Sequence, residues 1–386
     1  MRLSFFLFFA LMIQLVHSQS LLSGADRGDV YLSKLKGKKL AITCNQTSVV
    51  GKQHIVDYLM SQGIEVVKIF SPEHGFRGDA DAGAKVKSEI DPKTNIRIKS
   101  LYGKNLKPTA VDLHGADIML FDIQDVGVRF YTYISTLQYV MEACADAQIP
   151  IIVLDRPNPN RHYIDGPVLD KKFTSFVGMQ PVPVVYGMTI GEYARMLLGE
   201  QWLNTKNKPL LDVISCLNYS PMSIVELKIP PSPNLKSTNA IRHYPSLCFF
   251  EGTEISVGRG TEIPFECYGS PYQDRRYMKD SFVPISRKGA SSPPYMNQTC
   301  YGENLIKVKP ESRINLSYLM KAYKYWTKDK KDFFLASLFF DNLAGNATLR
   351  WQIINGKSED EIKASWTSGI AKFKKIRKKY LLYADF

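Results

Sequence analysis

The sequence lacks the short signatures of several common chemistries. There is no G-x-S-x-G elbow, which removes the usual α/β serine hydrolase, and no G-x-x-x-x-G-K-[ST] loop, which removes a phosphate-cradling P-loop. H-E-x-x-H is also missing and the chain holds only six histidines, so a zinc protease is excluded. Six cysteines (Cys44, Cys144, Cys216, Cys248, Cys267, Cys300) contain no C-x-x-C pair and are sparse for the length, so most read as small buried side chains. The apolar run from Phe5 to Val16 falls well short of the ~20 residues that cross a bilayer.

That run follows Met1-Arg2 and ends in Val16-His17-Ser18, the order of charge, apolar stretch and small residue found in a secretory signal. Residues 1–18 are therefore expected to be cleaved, leaving an exported, periplasmic protein without stable membrane insertion. Lysines and arginines number 50 against 37 acids, a formal charge of +13; loss of Arg2 leaves 13 − 1 = +12. A basic surface suits an acidic polymer. Runs such as Lys374-Lys375-Ile376-Arg377-Lys378-Lys379 read instead as the solvated face of a helix, and no recognisable nucleic-acid module accompanies them, so no nucleic-acid partner is expected.

With 386 residues, 45% of them hydrophobic and 12% aromatic, the chain can bury a large core and is read as two domains. From Lys39 onward, short apolar runs alternate with helical stretches, the pattern of a parallel sheet with crossover helices. Strands are predicted at Leu40 to Cys44, Val66 to Phe70, Ile118 to Phe121 and Ile151 to Leu154. None alternates strictly, as expected of strands covered on both faces. Helical spacing covers His54 to Met60, Ile134 to Ala147 and Ile190 to Leu198, and a further strand is placed at Leu211 to Cys216. The proline-rich stretch Ile229-Pro230-Pro231-Ser232-Pro233-Asn234 breaks regular structure, so the α/β domain is assigned to residues 19–228 and a smaller α+β domain, with helices around Leu316 to Trp326 and Glu359 to Tyr380, to 229–386.

Ligands of open parallel sheets bind beyond the carboxyl ends of the strands. After the first strand stands Asn45-Gln46-Thr47; after the second, Ser71-Pro72-Glu73-His74-Gly75-Phe76-Arg77; after the third, Asp122-Ile123-Gln124-Asp125-Val126-Gly127-Val128-Arg129-Phe130-Tyr131-Thr132-Tyr133; after the fourth, Asp155-Arg156-Pro157-Asn158. Any one of these polar residues can be a cap or a turn. Their coincidence after four successive strands points to a cleft, in which Asn45, His74, Arg77, Gln124, Arg129, Tyr131, Tyr133, Arg156 and Asn158 are candidate binding residues. The glycine-rich segment Phe249 to Glu262 is read as a loop bringing Glu251 and Arg259 to the same place; Ile263 stands where a dinucleotide fingerprint needs a small residue, so no cofactor is expected.

Glycoside cleavage needs a protonated carboxyl group for the leaving oxygen and a second group to stabilise the oxocarbenium-like centre or activate water. Glu73, next to Pro72 and Phe76, is the candidate acid; partial desolvation there raises a carboxyl pKa. Glu251 is one candidate for the second role, and Asp122 or Asp125 orienting a substrate 2-acetamido group is another. Glu73, His74, Asp122 and Asp125 also offer donors to a hard cation, but paired ligand spacing is missing and no metal is expected. A non-catalytic cell-wall binder is a further alternative.

Taken together, Asn45-Gln46-Thr47, Phe70-Ser71-Pro72-Glu73-His74-Gly75, the segment Asp122 to Tyr133, Leu154-Asp155-Arg156-Pro157-Asn158-Pro159 and Phe250-Glu251-Gly252-Thr253 with Gly258-Arg259-Gly260-Thr261 resemble the exo-acting β-N-acetylmuramidases related to NamZ, over nearly the whole chain after the leader. The resemblance implies a Rossmann-like domain, a smaller C-terminal domain and a cleft between them. It further implies release of N-acetylmuramic acid from the non-reducing ends of peptidoglycan fragments, with Glu73 catalytic. The lactyl carboxylate of that sugar then gives Arg77, Arg129, Arg156 or Arg259 a bidentate partner. Glu254 departs from the family's pattern, where an amide or small residue is expected.

Overall fold

A computed structural model describes residues 20–73, 75–76, 89–220, 222–223, 225–326 and 332–386. Residues 1–19, which include the expected export signal, and the candidate residues His74 and Arg77 lie outside the described residues. Among the described residues no helix is long and apolar enough to cross a membrane.

The main sheet has seven strands: β1 Lys39–Cys44, β2 Glu65–Ser71, β3 Glu89–Ile90, β4 Arg97–Ser100, β5 Ile118–Asp122, β6 Ile151–Leu154 and β7 Leu211–Ile214. Their spatial order is β3-β4-β2-β1-β5-β6-β7. Every pairing is parallel except the short edge pair β3–β4. The strand order reverses between β1 and β5, the switch point at which loops splay apart and leave a crevice.

Period-two alternation sends neighbouring residues of a strand to opposite faces, and here each face meets its own core. Leu40 and Ile42 of β1 join Ile69, Leu120, Ile152 and Leu154 against Tyr31 and Leu35 of helix α1 (Gly28–Leu35) and Ile55, Val56 and Leu59 of α2 (Ile55–Ser61). On the other face, Ala41, Phe70, Met119, Phe121 and Val153 pack on Leu137, Val140 and Met141 of α3 (Tyr133–Asp146) and on Ala194, Met196 and Leu197 of α4 (Ile190–Gly199). Each large side chain buried this way contributes ~1.5–3 kcal/mol, so apolar residues are favoured at every position and the sequence shows no alternation.

The expected Rossmann-like sheet with a smaller second layer is what the chain forms. A three-stranded antiparallel sheet, β8 (Cys267–Ser270), β9 (Asp280–Phe282) and β10 (Cys300–Asn304), stands in the order β8-β10-β9, surrounded by short helices. Glu359 to Tyr380 is not one helix: Glu359–Ala364 and Thr367–Arg377 are separated at Ser365 and the buried Trp366. The second core cluster runs continuously from Ala41 to Phe373, so apolar packing joins both parts of the chain.

The tail also returns to the first sheet. Tyr383 donates its hydroxyl to Asp155 Oδ2 at 2.5 Å, the Leu382 amide donates to Glu192 Oε1 at 2.9 Å, and Arg377 reaches the Gly187 carbonyl at 2.8 and 2.9 Å.

Candidate active site

Four strands of the main sheet deliver the rim. β2 ends at Ser71 and its next turn carries Glu73; β4 ends at Ser100 and is followed two residues later by Tyr102. β5 runs into a nine-residue segment, Ile123 to Tyr131, that is buried throughout, and the half-buried Thr132 follows before α3 begins. β1 is followed by Asn45, whose Oδ1 accepts from the Thr47 amide at 2.9 Å and whose Nδ2 donates to the Tyr133 hydroxyl at 3.0 Å. That hydroxyl and the one on Tyr131 donate to the Pro231 carbonyl at 3.2 and 2.8 Å, so the proline-rich crossing is fastened across the rim.

Beneath this crossing lies a cavity of about 230 Å³. Glu73, Tyr102, Thr132, Tyr131 and Tyr133 line it from the first half of the chain, and Tyr244, Cys248, Glu251, Arg259 and Phe265 from the second. The volume is below the ~300–1,000 Å³ of pockets for drug-sized ligands, the scale of one sugar ring rather than a chain. Edge-on aromatic contacts give it stiff walls: Tyr131 meets Tyr133 at 4.8 Å and Tyr244 meets Phe265 at 5.0 Å between ring centroids.

Two carboxylates face this space in different surroundings. Glu73 accepts from Thr132 Oγ1 at 3.4 Å and bonds to the Tyr102 hydroxyl. Burial first, and then the Glu73 charge, hold the Tyr102 phenol above its ordinary pKa, so it remains a donor. Glu251 is paired with Arg259, whose Nε and Nη2 each lie 2.7 Å from Oε1, while the Cys248 thiol lies 3.5 Å from Oε2. Arg259 also stands over the Phe265 ring at 5.2 Å, and its buried Nη1 has no hydrogen-bond partner among the described residues.

The other candidate residues lie away from the cavity and are engaged in holding the loops. Asp122 is fully buried in a bidentate pair with Arg156, Nε to Oδ1 at 2.6 Å and Nη2 to Oδ2 at 2.8 Å. Asp125 accepts from the Gly127 amide at 2.7 Å and from the Tyr186 hydroxyl; burial pushes its carboxyl up to about 6. Arg129 is fully buried and donates at 2.8 Å to each of the Pro167, Val182 and Leu343 carbonyls, and burial draws its pKa down to about 9. Gln124 donates to the Asp125 and Pro157 carbonyls at 2.7 Å, and Asn158 donates to the Met188 carbonyl at 2.7 Å while accepting from the Asn160 amide. Neither the lactyl-binding role for Arg129 and Arg156 nor the acetamido-orienting role for Asp122 and Asp125 is supported by these positions. Each is bonded to internal partners, although Asp125 Oδ1 and Arg129 Nε have no hydrogen-bond partner among the described residues.

Tyr102, Thr132, Tyr244 and Cys248 were not singled out in the sequence. Only Thr132, inside the Asp122 to Tyr133 segment, had a signal that could have found it. A much larger groove of about 900 Å³ lies between α4, the edge strand β7 and the tail, but it contains none of the rim residues and its one acid, Asp212, is paired with Lys34. Among the described residues no group of three His, Cys, Asp or Glu side chains is placed to hold a metal ion.

Comparison with known proteins agrees along the whole chain. Residues 40–239 match the N-terminal domain of exo-beta-N-acetylmuramidase NamZ and residues 242–383 its C-terminal domain. Peptidoglycan beta-N-acetylmuramidase NamZ of Bacillus subtilis is 38% identical over 373 residues, covering 92% of this chain and 89% of that one. A DUF1343 family protein of Bacteroides fragilis, known from its crystal structure, is 44% identical with a TM-score of 0.87, over 95% of this chain and 100% of its own. A second from the same organism is 25% identical with a TM-score of 0.80, over 94% and 99%. The chain belongs to the exo-beta-N-acetylmuramidase NamZ family.

Proposed function

We propose that this chain is an exo-acting glycoside hydrolase that releases N-acetylmuramic acid from the non-reducing ends of peptidoglycan fragments, with Glu73 as the acid. The observation that carries the reading is the placing of Glu73 and the Glu251–Arg259 pair on the walls of one sugar-sized cavity. Tyr102 and Thr132 hold the Glu73 carboxyl group at the wall. Its proton passes to the glycosidic oxygen as the bond from that oxygen to the anomeric carbon breaks. The positive charge that grows on the ring is offset by Glu251, and water supplies a hydroxyl to the anomeric carbon and a proton to replace the one donated. Preorganised charge of this kind acts without reorganisation at the moment of reaction.

Arg259 answers the feature that separates muramic acid from glucosamine. Its Nη1, without a hydrogen-bond partner among the described residues, is a donor for the lactyl carboxylate, which N-acetylglucosamine lacks. Tyr131 and Tyr244 offer aromatic surface to the apolar face of the ring. Residues 1–18 are read as an export signal, consistent with a periplasmic substrate; the N-terminal sequence of the secreted protein tests this separately.

The deciding experiment incubates the purified protein with fragments ending in N-acetylmuramic acid or in N-acetylglucosamine and identifies the monosaccharide released. Free N-acetylmuramic acid from the first alone is expected. Binding without release would identify a non-catalytic binder, and loss of release in a strong chelator would identify a metal-dependent hydrolase.

A further inference from the structure

The switch point between β1 and β5 opens into another space. This crevice of about 710 Å³ lies beyond the ends of β1, β5 and β6, where Thr47, Gln124 and Arg156 line it, and residues 20–23 and 225–229 supply further walls. Among the described residues it shares none of its lining with the Glu73 cavity. Gln124 and Arg156 are only 5% and 7% exposed, yet each has an atom left over. Gln124 Nε2 donates to the Asp125 and Pro157 carbonyls, which fixes the orientation of the amide and leaves Oε1 as an acceptor without a donor among the described residues. Arg156 directs Nε and Nη2 at Asp122 and the Val49 carbonyl, and its Nη1 has no hydrogen-bond partner among the described residues. Asp122 balances the guanidinium charge, and Asp26 and Glu226 stand against Lys52 and Lys228 along the same lining. Leu22, Val49, Val225 and Leu227 make the rest of the surface largely apolar.

We infer that this crevice is a separate, non-catalytic saccharide site that holds a short neutral oligosaccharide by its hydroxyl or acetamido groups. The inference goes beyond the glycosidase reading and does not need it. Ligands of open parallel sheets lie at the switch point, where these loops diverge. A recessed donor and a recessed acceptor suit groups that both accept and donate, as a hydroxyl and a secondary amide do. Balanced charge along the walls offers no surplus to a free anion, and apolar surface around a few fixed polar atoms suits the faces of sugar rings. The volume is about three times that of the one-ring cavity at Glu73 (710/230), the scale of a short chain. Of the acids on its lining, Asp26 is already bonded to Ser23 and to the Gly51 amide and Glu226 is exposed, so a sugar here is held and not cleaved.

Methyl NMR of the protein labelled at leucine and valine, titrated with the trimer of N-acetylglucosamine, reads the two spaces separately. The trimer lacks the lactyl carboxylate that Arg259 is read to bind. Shifts are expected at Leu22, Val49 and Leu227 in the crevice, and not at Val177, Leu235 and Leu343 around Glu73. Arg156→Lys keeps a cation beside Asp122 while removing Nη1, and is expected to weaken trimer binding about tenfold, the loss of one hydrogen bond from a charged donor. The spectrum of that variant without ligand checks its fold; should it not fold, the location of the shifts in the natural chain decides alone. Shifts that are absent or confined to the Glu73 group overturn the inference, as does full affinity in folded Arg156→Lys. N-acetylmuramic acid, titrated in turn, is expected to shift the Glu73 group; its failure to do so would count against the glycosidase reading and leave this one standing.

Discussion

Removing Arg156 isolates a buried charge, and the cost can be worked from the geometry. The Asp122 side chain is 0% and that of Arg156 8% exposed, and two hydrogen bonds of 2.6 and 2.8 Å join them at the end of β5. Replacing Arg156 with Met leaves a carboxylate without its counter-ion or two of its donors, a change that costs about 3–5 kcal/mol when one partner of a buried pair is lost. Against a total stability of ~5–15 kcal/mol for a folded domain, the variant remains folded at 25 °C but near its limit. Exchanging both partners, Asp122→Leu with Arg156→Met, removes the stranded charge, and most of the loss is expected to return, a coupling of about 3 kcal/mol. Urea unfolding at pH 7, followed by fluorescence, gives both values from the midpoints at constant slope. Because neither residue lines the Glu73 cavity, turnover per folded molecule is expected to stay within about twofold for the single variant, on the ~±0.5 kcal/mol scale of substitutions away from critical contacts. A single-variant loss below about 1 kcal/mol would refute the electrostatic reasoning, and a collapse of turnover with the fold intact would return Asp122 to the reaction.

Glu73→Gln keeps the side-chain shape and removes the proton, so turnover is expected to fall by about 10²–10⁴-fold with an unchanged melting curve; near-normal release of the sugar would end the acid assignment. Asp125 ionises near ~3.9 when unfolded but only at about 6 in the folded chain. The folded state therefore binds the extra proton between those values, and stability attributable to this group falls as pH rises from about 4 to about 6, by ~3 kcal/mol at most. Asp125→Asn is expected to flatten that part of the melting-temperature profile, and a profile parallel to that of the natural chain would contradict the sign. Gly127 has φ of +75°, and a Cβ there would sit 2.2 Å from the Asn158 amide. Gly127→Ala should cost more than ~1–3 kcal/mol, since strain and overlap act together, and unchanged urea unfolding would show that the loop can move aside.

The sheet was legible because its central strands are written as apolar runs. Ile151–Leu154 has the bounds read from the sequence, and β1, β2 and β5 differ from their expected spans by a residue or so at the ends. The two strands beyond β2 were not legible: β3 has two residues, and Arg-Ile-Lys-Ser in β4 alternates too briefly to be distinguished from a loop. With β4 went Tyr102, which lies just beyond it and holds Glu73. The rim was legible as a collection of polar residues but not as a division of labour. A loop buried from Ile123 to Tyr131 has to satisfy its own amides and carbonyls. Polar side chains around it are drawn into that task, and spacing alone cannot tell Arg129, bonded to three carbonyls, from Arg259, whose Nη1 has no hydrogen-bond partner among the described residues. Tyr244 and Cys248 reach the cavity from a helix more than a hundred residues downstream of the third strand, where no local pattern marks them.

The return of the tail to the first sheet imposes an order on synthesis. Residues 377–386 are made long after Asp155 and Glu192, yet those two acids take Tyr383 and Leu382 as partners. Until residues 382 and 383 emerge, the earlier part carries buried acids with part of their hydrogen bonding unfilled, so it can condense but not lock. Interrupting the chain before residue 377 would leave Asp155, Glu192 and the Gly187 carbonyl without these late-made partners.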